Sequence, residues 1–163
     1  MNLKRLTTDA LLTAFALIIF IIEAQIPPVV PIPGIKLGLS NIITLTSFYI
    51  IGKKDALIIL VLRIVLGSVF SGNISSLIFS LCGGILCYIA MCIFHGITKE
   101  KIWVTSVLCA IAHNTGQIIA AVFVMKSTAV LWYFPYLLIS AIITGAFTGI
   151  IVQNICKKGR GLK

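Results

Sequence analysis

The chain has 163 residues, 60% of them hydrophobic and 10% charged, with a mean hydropathy of +1.15. A soluble domain carries about 25% charged residues, so water is a poor solvent for this surface and lipid the natural one. The net charge of +9 lies in short clusters between apolar runs (Lys4-Arg5, Lys53-Lys54, Lys99 with Lys101, Lys157-Lys158 with Arg160), which is the pattern of membrane flanks and excludes a nucleic-acid-reading face.

Six apolar segments follow in order, 8–26, 37–51, 56–70, 74–94, 102–125 and 130–155. They predict an all-α, polytopic integral membrane protein: a single transmembrane domain folded as a compact bundle of about six helices. The first run is too long for the apolar core of a signal peptide. It ends in Glu23, Gln25 and a proline cluster, not in a small-residue cleavage site, so it reads as a retained helix. Pro27, Pro28, Pro31, Pro33 and Gly34 stop it and delay the next helix to about Leu37. This stretch is too constrained for a floppy linker and too apolar for a solvated one, which predicts a lid over one mouth of the bundle.

The second and third segments fall short of the roughly 20 residues that a perpendicular span needs. Turns are expected at Gly52-Lys53-Lys54-Asp55, at Gly67 to Asn73, at His95 to Lys101 and at Lys126-Ser127-Thr128. The N-terminus, the turns after segments two and four, and the C-terminal tail hold ten Lys and Arg; the opposite loops hold only Lys36 and Lys126. That asymmetry predicts an even number of spans with both termini cytoplasmic.

Inside lipid, helices associate through small residues four apart. Such rows occur at Ala10 and Ala14, at Ser76, Ser80 and Gly84, at Ala112, Gly116 and Ala120, and at Ala141, Gly145 and Gly149. Cys82, Cys87 and Cys92 recur every five residues, which rotates them about 140° per step on a helix. They cannot converge on one metal, and with Cys109 and Cys156 they read as small buried hydrophobes.

Several polar residues lie where lipid is expected. Arg63 sits near the middle of segment three, where an unpaired charge costs at least ~2.5 kcal/mol; it calls for a partner, a wet cavity or an anionic ligand. Glu23, near the outer end of segment one, could pair with Arg63, face water, or bind a cationic group. His113, Asn114 and Gln117 share one face of segment five beside a small-residue row, as a cavity wall would. Asn41 and Thr44 share a face of segment two. Trp132, Tyr133 and Tyr136 open segment six, as interfacial anchors or as a platform for a planar ligand. A ligand is therefore expected among Glu23, Asn41, Arg63, His113, Asn114, Gln117 and Tyr136, below the proline-rich lid. There is no Gly-x-x-x-x-Gly-Lys-Ser/Thr phosphate loop, and Asp9, Glu23, Asp55 and Glu100 are well scattered along the chain. Neither a Mg²⁺-binding carboxylate pair nor a catalytic, metal or cofactor site is expected. The chain reads as one that binds or conducts rather than an enzyme.

The runs Ile35-Lys-Leu-Gly-Leu-Ser-Asn-Ile, Leu45 to Ile51, Gly52-Lys-Lys-Asp-Ala, Leu62-Arg-Ile-Val-Leu-Gly, Ser80-Leu-Cys-Gly-Gly, Ala112-His-Asn-Thr-Gly-Gln, Tyr133-Phe-Pro-Tyr and Thr144-Gly resemble the bacterial Gx transporter family over about residues 8 to 155. That family is often labelled heptaprenyl diphosphate synthase component I. It is more broadly similar to the S components of energy-coupling-factor (ECF) vitamin transporters, six-helix proteins that bind a vitamin and dock on a coupling subunit with two ATPases. The resemblance implies a bacterial cell-membrane protein that captures a small vitamin-like or hydrophobic molecule, with Ala10 and Ala14 matching the small residues used for docking. It also implies an alternative, a non-catalytic subunit in isoprenoid or quinone metabolism or in flavin- and quinone-linked extracellular electron transfer. The Asp-rich Mg²⁺ motifs of prenyl synthases are absent from this sequence.

Overall fold

A computed structural model describes residues 3–26, 36–72, 74–97 and 101–161, with side chains described at all of these except 74, 75 and 159–161. The expected proline-rich lid lies outside them. Among the described residues six α-helices form the bundle: α1 (Leu3–Gln25), α2 (Asn41–Ile50), α3 (Lys53–Ser71), α4 (Ile74–Phe94), α5 (Ile102–Met125) and α6 (Phe134–Gly161), with a short 3-10 helix at Thr128–Tyr133 before α6. No strand occurs among the described residues. The all-α bundle expected from the sequence is the fold of this chain, and four of its helical stretches are long and apolar enough to cross a bilayer: α1, the run from Ser76 to Phe94, α5, and the run from Thr128 to Lys158.

Helix ends have local causes. Gly72 closes α3 in the left-handed conformation (φ +60°), a role suited to glycine. The polar turn expected from Gly67 onward is still helix as far as Ser71. The Ser68 and Ser71 hydroxyls bond back to the carbonyls of Val65 and Ser68, so they need no solvent, and Gly67 has the Phe20 ring packed where a side chain would stand. Lys126, in the left-handed region at φ +50°, ends α5, and the Ser127 hydroxyl accepts from Ala129 N to start the short 3-10 helix. α2 spans only ten residues, about 15 Å, or half of the ~30 Å hydrocarbon core. The segment that leads into it, 36–40, is therefore non-helical backbone at the depth of the bundle interior.

Contacts along the helices fix their directions. Arg5 meets Asp55, and Phe20 meets Gly67, so α1 and α3 run parallel. α4 runs antiparallel to α3, with Gly84 against Leu60 and Ile64 and the Tyr88 hydroxyl donating to Lys53 O. α5 packs most extensively, against α4 and against α6. Gly116 lies on the backbone of Cys82 and Gly83; Gly145 lies on Val107 and Ala110, and Gly149 on Trp103 and Ser106. A Cβ at Gly116 would come within 2.5 Å of Cys82 O, so these glycines set the interhelical distance. Ala10 and Ala14, by contrast, face outward from α1.

The acids are scattered in sequence but not in space. At the terminal end of the bundle Arg5 forks Asp55, with Nε 3.1 Å from Oδ1 and Nη2 on Oδ2, and the buried Asp9 carboxyl lies near both. The parallel pairing of α1 and α3 brings these residues together. Among the described residues no three His, Cys, Asp or Glu side chains converge as a metal site would require.

Candidate functional site

The polar residues singled out in the sequence meet around one object, the 36–40 segment. Gly38 adopts φ +80°, which turns the chain and stops α2 from beginning earlier. The amides freed by this turn need acceptors, and no water is expected at this depth. Glu23, at the end of α1, supplies them: Oε1 accepts from Gly38 N, and Oε2 accepts from Ser40 N at 3.4 Å. A carboxylate at the N-terminus of α2 is also favoured by the helix dipole. Ser40, the N-cap residue, makes no side-chain cap of its own, because its hydroxyl accepts from Arg63 Nη1. Arg63 Nη2 donates to Asn41 Oδ1 at 3.0 Å.

α5 closes the other side. Oriented by its partners, the Gln117 amide donates to Lys36 O (3.0 Å) and accepts from Lys36 N (3.2 Å) and His113 Nε2 (3.2 Å). Gln117 thus pairs with both backbone groups of Lys36, as a neighbouring strand would. The His113 ring fills the gap between Gly38 and Gly83: a Cβ on either glycine would come within 2.9 Å of it. Asn114, one residue on, donates to Leu137 O at 2.8 Å and so ties α5 to α6. Glu23, Arg63, His113, Asn114 and Gln117 are all buried, Arg63 to 2% exposure, and Asn41 is half-buried.

Five of the seven expected site residues, Glu23, Asn41, Arg63, His113 and Gln117, are thus linked through the 36–40 segment, whereas Asn114 bonds to Leu137 O on α6. Tyr136 is not among them. It is 64% exposed on the outer surface of α6, beside Trp132, which is 83% exposed. The 3-10 helix at Thr128–Tyr133 shifts the start of α6 and turns this aromatic group outward, which is the arrangement of interfacial anchors. Three participants were not singled out in the sequence: Lys36, which counts there only as a loop charge, Ser40 and Gly38. A glycine followed two residues later by Ser-Asn, just ahead of an unusually short apolar run, is the signal that could have marked them.

The centre is not fully paired. Among the described residues, Lys36 Nζ, Arg63 Nε, Thr44 Oγ1 and Asn114 Oδ1 are buried with no hydrogen-bond partner. A small cavity next to it, about 20 Å³ of space open to the centre of a water molecule, is bordered by Gly38, Asn41, Ser106, Cys109, Thr144 and Thr148. That is room for about one water.

The chain belongs to the family described as heptaprenyl diphosphate synthase component I, whose match runs over residues 12–155. No curated protein and no solved structure matches it. The family membership and the four long apolar helical stretches together define a multi-pass, membrane-embedded helical protein.

Proposed function

We propose that this protein is a membrane-embedded binding subunit, comparable to the S components of ECF transporters, that captures a small vitamin-like or hydrophobic molecule at the centre built by Glu23, Asn41, Arg63, His113, Asn114 and Gln117. The observation that carries this reading is the surplus of buried polar atoms there. Lys36 Nζ and Arg63 Nε have no partner among the described residues, whereas a purely structural polar core pairs such atoms. The adjoining cavity admits only about one water, so a larger ligand enters as the 36–40 segment gives way. The protein sits in the bacterial cell membrane with both termini cytoplasmic, in keeping with ten Lys and Arg on that side against two on the other. Ala10 and Ala14 support docking on a coupling subunit with its ATPases, because they lie one turn apart on the outward face of α1.

The test is to co-express the chain with an ECF coupling module and measure complex formation. The expected result is co-purification that Ala14→Leu weakens without unfolding the bundle. Undiminished co-purification of Ala14→Leu counts against this docking face, and failure of the wild type to co-purify counts against the transport reading. The family description favours a second reading, a non-catalytic membrane subunit in isoprenoid or quinone metabolism. Stable capture of a prenyl diphosphate synthase catalytic subunit, with no coupling subunit bound, would select it.

A further inference from the structure

The charges at the centre do not balance. Lys36 and Arg63 bring two cations, and Glu23 brings one carboxylate. That carboxylate is committed to backbone amides, accepting from Gly38 N and Ser40 N. The salt bridge formed among the described residues is Arg5 with Asp55, at the terminal end of the bundle; neither Lys36 nor Arg63 has a carboxylate oxygen within 4.0 Å. Arg63 spends Nη1 and Nη2 on neutral oxygens of Ser40 and Asn41 and leaves Nε unpaired. Among the described residues the Lys36 ammonium has no hydrogen-bond acceptor, and it stands 3.5 Å from the centroid of the Phe20 ring. A ring face is a weak counterpart for a desolvated cation, on the order of 0.5–2 kcal/mol, while a buried charge without a counter-ion is among the costliest arrangements in a membrane.

We infer that this site binds an anionic group, a carboxylate or a phosphate of the ligand, and that Lys36 and Arg63 are the residues that hold it. The inference rests on the binding reading above and names the ligand's chemical class. Lys36 lifts from the Phe20 ring to meet the anion, Arg63 Nε donates from below, and Glu23 keeps the backbone of 36–40 in place, so that the two cations face one anion instead of each other. A neutral ligand would leave the surplus charge uncompensated, and a cationic one would add to it.

The test uses the full-length protein in zwitterionic phosphatidylcholine nanodiscs, with thermal unfolding followed at constant ionic strength. The probes are acetate, octanoate and inorganic phosphate, against octanamide and octylamine. The expected result is saturable stabilisation by at least one anion, at least tenfold weaker binding of octanamide and octylamine, and loss of the anion effect by tenfold or more in Lys36→Met but not in Lys36→Arg. A parallel measurement in nanodiscs containing phosphatidylglycerol identifies the source of the anion: competition between that lipid and the free anions assigns the site to a lipid headgroup, and no competition assigns it to a soluble ligand. Octanamide binding as tightly as octanoate would overturn the anion class while leaving the binding reading intact. Absence of saturation by every anion, or full retention in Lys36→Met, would overturn the site. An anion that saturates the site in a protein that docks on no transporter module would leave the inference standing and remove the transport reading.

Discussion

The two halves of the bundle are held together by different physics. α4, α5 and α6 meet through small residues, with Gly116, Gly145 and Gly149 placed against neighbouring backbone. α1, α2 and α3 meet through charge and hydrogen bonds, with Glu23 and Arg63 on the 36–40 segment and Arg5 on Asp55. Close packing needs no particular chemistry and tolerates no added volume. The polar half depends in addition on donors finding their acceptors. In the proposed reading, a packed half braces a polar one around the ligand, and the 36–40 segment gives way to admit it.

The largest effect should come from adding volume to the packed half. Gly116→Leu would drive its side chain into Cys82 and Gly83, and overpacking of this kind costs about 3 kcal/mol or more where backbone cannot yield. The expected outcome is loss of the folded, detergent-stable protein, read by size-exclusion chromatography. A well-folded Gly116→Leu with an unchanged melting temperature would break the comparison.

Glu23→Ala comes next. It strands the amides of Gly38 and Ser40, at roughly 1–3 kcal/mol for each buried donor left unmade. The bundle should survive, because α4 to α6 do not rest on Glu23, but the 36–40 segment should loosen. Thiol labelling of a cysteine placed at Leu37, in a background without the native cysteines, should accelerate in Glu23→Ala. An unchanged labelling rate would mean that something other than Glu23 holds the segment.

The smallest effect on stability is expected at the outer face of α1. Ala10 and Ala14 are exposed, so Ala10→Leu and Ala14→Leu should leave the melting temperature of the isolated protein unchanged, since surface substitutions usually fall within about 0.5 kcal/mol. A large drop would place these residues in an internal contact and withdraw them as a docking face.

The packed half was the more legible in the sequence. Small residues four apart are a periodic signal, and the rows of α4, α5 and α6 pointed to interfaces that the structure contains at Gly84, Gly116, Gly145 and Gly149. His113 and Gln117 were legible as one face of a helix for the same reason. What they face was not: the partner of Gln117 is the backbone of Lys36 on a distant, non-helical stretch, and a backbone acceptor or donor leaves no residue-specific mark. The short second segment hinted that part of the depth belonged to a loop, but not that the loop would use up most of the polar groups assigned to a ligand. Tyr136 lies exposed on α6, after a 3-10 helix that carries no strong periodic signature in the sequence. Asp9 and Asp55 looked unrelated because their proximity follows from the parallel pairing of α1 and α3, which composition does not encode.

The central claim is that Arg63 is buried for a ligand and not for the fold. Among the described residues its guanidinium has neutral partners and no carboxylate within 4.0 Å, so replacing it with an apolar side chain of similar length removes a desolvation cost along with two hydrogen bonds. The most direct measurement compares wild type and Arg63→Met in parallel, by native mass spectrometry for co-purified small molecules and by thermal unfolding of the same samples. The account predicts a bound small molecule on the wild type, at least tenfold lower occupancy on Arg63→Met, and a stability difference between the ligand-free proteins of no more than about 1 kcal/mol. Equal occupancy in the two proteins, or a collapse of the ligand-free Arg63→Met bundle, would contradict it and make Arg63 a structural strut for Ser40 and Asn41.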